Sequence, residues 1–303
     1  MLSGKVFITG GSGTLGRAII ERATTEDWPC QITAFNRSEY LQALLKQDYP
    51  HVSCIPGDVR DFHRLRAAMS GHDTVLHLAA MKRIPECEQY PDECWKTNVH
   101  GSQNVVDAAL LNGATICLGI STDKACQPVT MYGASKLAME KIFQAQPGDG
   151  CQFVLVRYGN VIESRGSVIP LWRAQDEAGE PLSITNRAMT RFWLTPGQAV
   201  DAVLLALRHI HGAIIVPKMK AMPITDMARA VVGGDPDFKV IGLRSVERVH
   251  EWLVSPDELA HEMDAHYLLG GHGEFGHSYR SDTAPVLSMD EFCAMLEEVG
   301  VNG

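Results

Sequence analysis

Six short runs in the first half of the chain are apolar almost throughout. They are KVFITG from Lys5, QITAFNR from Gln31, VSCIPGD from Val52, TVLHLAA from Thr74, TICLGIS from Thr115 and QFVLVRYG from Gln152. Between them lie stretches whose apolar residues recur at helical spacing: LGRAIIERAT, DFHRLRAAM and TNVHGSQNVVDAALLNG. The last is closed by Gly113, where a helix C-terminus favours glycine. Strands buried on one face alternate apolar with polar residues, whereas strands buried on both faces stay apolar. The pattern therefore predicts an α/β fold of Rossmann type, a doubly wound parallel sheet with helices on both faces. It holds to about residue 160 and then weakens into the Gly- and Pro-bearing VIESRGSVIPLWRAQDEAGEPLSI. The helix-like TPGQAVDAVLLALRHI and strand-like AIIVP rejoin the sheet before the chain leaves again. The expected division is a dinucleotide-binding domain over residues 1–160 with 195–218 returning to it. Residues 161–194 and 219–303 then form a smaller interleaved C-terminal substrate lobe.

Charge and composition narrow the functional classes. A net charge of −9 with no cluster of Lys and Arg argues against a nucleic-acid surface. No apolar run approaches the roughly 20 residues of a membrane span. The opening MLSGKVFITG goes straight into a strand pattern without a signal-peptide core, so a cytoplasmic protein is expected. The eight cysteines are scattered without a CxxC pair and the twelve histidines without HxxxH or HxH, so no metal site is expected.

ITGGSGTLG places Gly10, Gly13 and Gly16 at three-residue spacing between the first strand and the first helix. A tight turn needs glycine conformations there, and a pyrophosphate must approach backbone N–H groups at a helix N-terminus. Ser12, Thr14 and Leu15 belong to the same turn. An acidic residue ending the second strand would bind a ribose 2′-hydroxyl, but this chain has Asn36-Arg37. A guanidinium suits a 2′-phosphate, which favours NADP. Asp58 ends the third strand, within reach of an adenine amino group. Val59, the Ala79-Ala80 pair and Tyr158 complete the expected cofactor contacts.

STDKACQPVTMYGASK, residues 121 to 136, concentrates side chains that move protons. Tyr132 and Lys136 are four apart at the start of a helical run and share a face. A nearby ammonium favours phenolate and lowers the tyrosine pKa, making Tyr132 a usable base. Thr122, at the end of the fifth strand, can hydrogen-bond the same reacting oxygen.

With these motifs the chain resembles the extended short-chain dehydrogenase/reductases. LHLAAMKRIPECE, STDKA, YGASK, RYGNV, SRGSVIP and MTRFW make it similar to the C5-inverting UDP-N-acetylglucosamine 4,6-dehydratases of bacterial polysaccharide biosynthesis. The resemblance runs from residue 4 to about 290 and implies a lyase with a UDP-sugar substrate, assembled as a homo-oligomer. It implies that Tyr132, Lys136 and Thr122 oxidise C4, that Lys124 removes the C5 hydrogen and that Asp123 protonates the departing C6 hydroxyl. Abstraction at C5 calls for a neutral Lys124, hence a lowered pKa. Retaining relatives carry Glu after the Thr-Asp pair, so Lys124 points to the inverting branch. Arg191 and Arg244 resemble the family's diphosphate ligands, with Lys82, Asn160, Val168 and Glu247 also on the substrate side. Four positions depart from the family pattern, at three sites: Asn36 for Ser, Glu163 for Gly, and Ser245-Val246 for Pro-Gly in the RPGEK motif. The last two bear on the sugar rather than on the chemistry. Two other readings share the scaffold: a nucleotide-sugar 4-epimerase, which needs no Asp123-Lys124 pair, and a non-catalytic NADP-binding regulator.

Overall fold

The apolar segment Gly4–Thr9 becomes the central strand β1, its last four residues buried on both faces. In the computed structural model, which describes residues 1–148, 150–162, 168–209, 211–243, 246–270 and 273–300, five more strands follow it in βα units. They are β2 (Cys30–Asn36), β3 (Ser53–Pro56), β4 (Thr74–His77), β5 (Ile116–Thr122) and β6 (Gln152–Tyr158). The connecting helices are α1 (Thr14–Thr25), α2 (Glu39–Asp48), α3 (Phe62–Met69), α4 (Ile84–Gln89), α5 (Pro91–Trp95), α6 (Gly101–Leu111) and α7 (Met131–Gln144). All six strands pair in parallel, in the order β3-β2-β1-β4-β5-β6. The order reverses between β1 and β4, and a crevice at the carboxyl ends of the strands is where such sheets bind ligands. His77, buried at that reversal, bridges Thr9 at 2.8 Å and Ser102 at 3.0 Å.

Past β6 the chain leaves the main sheet and returns to it. Helix Pro196–Ala206 and strand Ile214–Pro217 return to the main sheet, the strand pairing in parallel with β6. Segments Ala260–Glu262 and His266–Leu269, expected in the smaller lobe, extend this same sheet to nine strands as antiparallel edge strands. Their brevity conceals them. Ala260 is buried but His261 and Glu262 are exposed, so no apolar run marks the first of them.

The smaller lobe has its own apolar cluster, built on Trp172, Ile184, Trp193, Met227 and Phe292. Around it lie strand Thr190–Leu194, flanked by Ala221–Pro223 and Asn160–Val161, and the parallel pair Phe238–Val240 with Leu182–Ile184. Among the described residues no helix is long and apolar enough to cross a membrane.

Candidate active site

The glycine turn sits at the carboxyl end of β1. Gly10 has φ +72, and a Cβ there would lie 2.8 Å from the Ala79 nitrogen, so only glycine fits against the β4 loop. Gly13 caps α1 without any side-chain hydrogen bond, and Thr14 and Leu15 open that helix, leaving its first N–H groups for a ligand. Asn36 donates from Nδ2 to Ser12 Oγ at 2.6 Å, while its Oδ1 is buried without a partner among the described residues. An orphaned acceptor beside an uncapped helix start suits a ligand that carries both phosphates and hydroxyls. The cradle fits a dinucleotide.

Arg37 extends from the end of β2 with its side chain 61% exposed, 3.8 Å from Asp58. Asp58, expected near an adenine amino group, is already paired with a neighbour. Arg60 donates to its Oδ2 from Nε at 2.9 Å and from Nη2 at 2.7 Å. Burial opposes ionisation of Asp58, but Arg60 outweighs it and pulls the carboxyl below its ordinary value. Val59 is buried under α6, and Ala79 and Ala80 are half-buried beyond β4. Tyr158 is buried at the end of β6, in register with Thr122.

The proton-handling residues converge at the end of β5. Thr122 ends that strand and caps the single turn Asp123–Ala125. Thr130 caps α7 by accepting from the Gly133 nitrogen at 2.9 Å, which places Tyr132 and Lys136 on its first turns. A Cβ at Gly133 would collide with the Lys124 carbonyl, so glycine lets the helix press directly on the catalytic turn. Thr122 Oγ1 donates to Asp123 Oδ1 at 2.7 Å, and Lys124 Nζ donates to both Asp123 oxygens at 3.0 and 3.1 Å. The Thr122 hydroxyl favours the ionised form of the Tyr132 phenol.

Two electrostatic expectations are overturned. Burial, reinforced by the Asp123 charge, pushes the Tyr132 phenol up, and only the Thr122 hydroxyl pulls the other way. The ammonium expected to lower it is turned elsewhere, since Lys136 Nζ rests 3.0 Å from Met139 Sδ. Burial brings Lys136 down to about 8, against the pull of Glu140. For Lys124, burial favours the neutral amine, but Asp123 and Glu251 outweigh it and hold the pKa above its ordinary value. Lys124 thus rests as an ammonium, not as the neutral amine expected.

Glu251 is the residue that motif reading missed. It is buried, 3.7 Å from Lys124 Nζ and 3.8 Å from Arg191 Nε. Its segment is docked onto the catalytic loop through Gln127, a non-glycine residue at φ +46. Gln127 accepts from Arg248 Nη2 and donates to Ser255 at 2.8 Å and Asp257 at 3.2 Å. The only sequence hint was the charged cluster ERVHE, which gives no sign of where it folds back.

Arg191 also differs from expectation. Its guanidinium donates to the carbonyls of Thr190 at 2.8 Å, Val249 at 2.9 Å and Arg248 at 2.9 Å, so it anchors the 248–251 segment rather than offering a free fork. With Lys124, Thr130, Asn160, Glu247 and Glu251 it lines a cleft between the sheet and the lobe. Asn160 donates to the Phe192 carbonyl at 3.0 Å. Lys82 is exposed beyond β4, and Val168 precedes helix Ile169–Glu177 outside this cleft. Phe192 is core. Arg244, Ser245, Glu163 and the SRGS of SRGSVIP lie outside the described residues.

A βαβ sheet with this turn at its first crossing, and a Thr, Tyr and Lys drawn together at the fifth, defines an extended short-chain dehydrogenase/reductase. More narrowly, the chain belongs to the polysaccharide biosynthesis protein family, whose model matches residues 6–270. It is 40% identical over 274 residues to the inverting UDP-N-acetylglucosamine 4,6-dehydratase of Campylobacter jejuni, covering 87% of this chain and 82% of that protein. It is also 40% identical over 269 residues to the UDP-glucose 4-epimerase of Rickettsia massiliae, covering 84% and 79%. The X-ray structure of Pen from Bacillus thuringiensis superposes with a TM-score of 0.91 at 29% identity, over 99% of both chains.

Proposed function

We propose that the protein is an NADP-dependent 4,6-dehydratase that converts UDP-N-acetylglucosamine to a 6-deoxy-4-keto sugar with inversion at C5. The observation that carries this reading is the Asp123–Lys124 pair, its carboxylate buried and its ammonium half-buried, on the same short turn as Thr122 and beside Tyr132. An epimerase needs one acid–base group at C4. Here a second acid–base couple stands beside it, as elimination between C5 and C6 requires. The identity to the inverting Campylobacter enzyme supports the same reading. The equally similar Rickettsia epimerase keeps 4-epimerisation as the alternative.

A bound nicotinamide would take a hydride from C4 and return it at C6. Tyr132 would accept the C4 hydroxyl proton, Lys124 would remove the acidified C5 proton, and Asp123 would protonate the C6 hydroxyl as it leaves as water. For that, the pair must first give up the ammonium form it rests in. Arg37, exposed at the end of β2, favours NADP by offering a guanidinium to a 2′-phosphate. The decisive experiment incubates the protein with UDP-N-acetylglucosamine and NADP, then measures product mass. Loss of one water, with deuterium at C5 in heavy water, is expected. An unchanged mass with a new C4 configuration would establish the epimerase.

A further inference from the structure

Glu251 enters the cleft in a fixed pose. Its backbone N–H donates to Ser281 Oγ at 2.9 Å, and its carbonyl accepts from the Ser281 N–H at 2.9 Å. The residue is 6% exposed and lines the cleft. Among the described residues no hydrogen bond reaches its carboxylate, whose nearest cations are Lys124 Nζ at 3.7 Å and Arg191 Nε at 3.8 Å. Both cations are engaged elsewhere. Asp123 lies closer to Lys124, at 3.0 Å, and Arg191 donates to three carbonyls. A buried carboxylate calls for hydrogen-bond donors, and this one borders the space a substrate enters. A sugar hydroxyl is such a donor.

The dehydratase reading, on which this inference rests, says which hydroxyl. Lys124 addresses C5 and Asp123 the oxygen on C6, while Glu251 flanks Lys124 Nζ as the second carboxylate. C6 is bonded to C5, so its oxygen falls between the two carboxylates. A leaving hydroxyl takes its proton from Asp123 on a lone pair, and its own O–H is left to donate. We propose that Glu251 accepts the hydrogen bond of the C6 hydroxyl and so selects sugars with a C6 hydroxymethyl group over those with a C6 carboxylate. An ionised C6 carboxylate has no O–H to donate, and it brings a negative charge against Glu251 and Asp123. Among the described residues around the cleft, Lys124, Arg191 and Arg248 are matched by Asp123, Glu247 and Glu251. No positive charge is left over to hold a further anion.

The test compares ligands in a Tyr132→Phe background, which slows turnover so that binding can be read with NADP present. Isothermal titration gives dissociation constants for UDP-N-acetylglucosamine, for its C6-carboxylate analogue UDP-N-acetylglucosaminuronate, and for UDP alone. With Glu251 in place, the uronate should bind roughly 10–100-fold more weakly than the parent sugar. Glu251→Gln removes the repelling charge and leaves a cation unmatched. It should cut that ratio by about 10-fold or more, while UDP alone binds as before. Glu251→Asp keeps the charge and should keep most of the preference. The same ratio with Glu251 and with Gln would overturn the assignment. So would a parallel loss for all three ligands, which marks a structural role. The dehydratase reading fails separately, by an unchanged product mass. If the ratio still moves with Glu251→Gln in that case, elimination is lost but selection at C6 by Glu251 stands.

Discussion

The two walls of the cleft are built in opposite ways. The dinucleotide wall comes from consecutive βα units, and its parts lie at strand ends: Gly10 after β1, Arg37 after β2, Asp58 after β3, Thr122 at the end of β5. The sugar wall comes from chain more than a hundred residues away, pressed onto the catalytic turn. Arg248, Ser255 and Asp257 grip Gln127, and the Glu258 carboxylate meets Arg157 at 2.7 Å. Arg157, wholly buried in β6, also pairs at 2.7 Å with Glu140 of α7, the helix that carries Tyr132 and Lys136. Local geometry fixes the first wall. Buried charge fixes the second, so changes on the two sides should fail differently.

The largest effect is expected on the dinucleotide wall at the chemistry itself. Tyr132→Phe should lower turnover by roughly 10²–10⁴-fold while the urea midpoint stays near wild type. Near-normal turnover would remove Tyr132 from the reaction. Where β6 holds the sugar wall, Arg157→Leu leaves the buried Glu140 carboxylate and the partly exposed Glu258 carboxylate without their cation. It should destabilise the fold by about 3–5 kcal/mol, read from denaturant unfolding. A loss below about 1 kcal/mol would mean that the lobe is held by its apolar contacts alone.

Smaller and more selective is Arg37→Asp. Losing a charge-assisted contact of about 1.5–3 kcal/mol should weaken NADP by roughly 10–100-fold and spare NAD. Equal weakening of both in a titration would break the assignment of Arg37 to the 2′-phosphate.

The subtlest is Glu251→Gln, which sharpens the comparison by touching charge alone. Glu251 raises the Lys124 pKa, so removing its charge lowers it. With the neutral amine as the proposed base, the acidic limb of the pH–rate profile should move to lower pH. A limb that stays in place would show that Lys124 titrates without Glu251.

The same contrast explains what the sequence disclosed. β1, β2, β4, β5 and β6, with buried centres, had to be contiguous apolar runs, and Gly10 had to be glycine, so most of the sheet and the turn were readable in linear order. Tyr132 and Lys136 were readable because helical spacing sets their shared face. The protonation state of Lys124 was not, because it depends on Glu251, whose approach is set by contacts over 120 residues of separation. Likewise Arg191 looked like a phosphate fork until the carbonyls of residues 190, 248 and 249 occupied its donors. Edge strands such as Ala260–Glu262 carry too few apolar residues to announce themselves.

The split between an early sheet and a late-arriving wall also sets an order of events at the ribosome. Once residue 158 has emerged, β1 to β6, the glycine turn, Tyr132 and Lys136 are all present, and domains tend to consolidate from the N-terminus as synthesis proceeds. Arg157 can already meet Glu140 at that stage. Glu251, the residues gripping Gln127, and Glu258 all come roughly a hundred residues later. The glycine turn and the Tyr132–Lys136 pair are thus synthesised well before the residues that press onto the turn beside them.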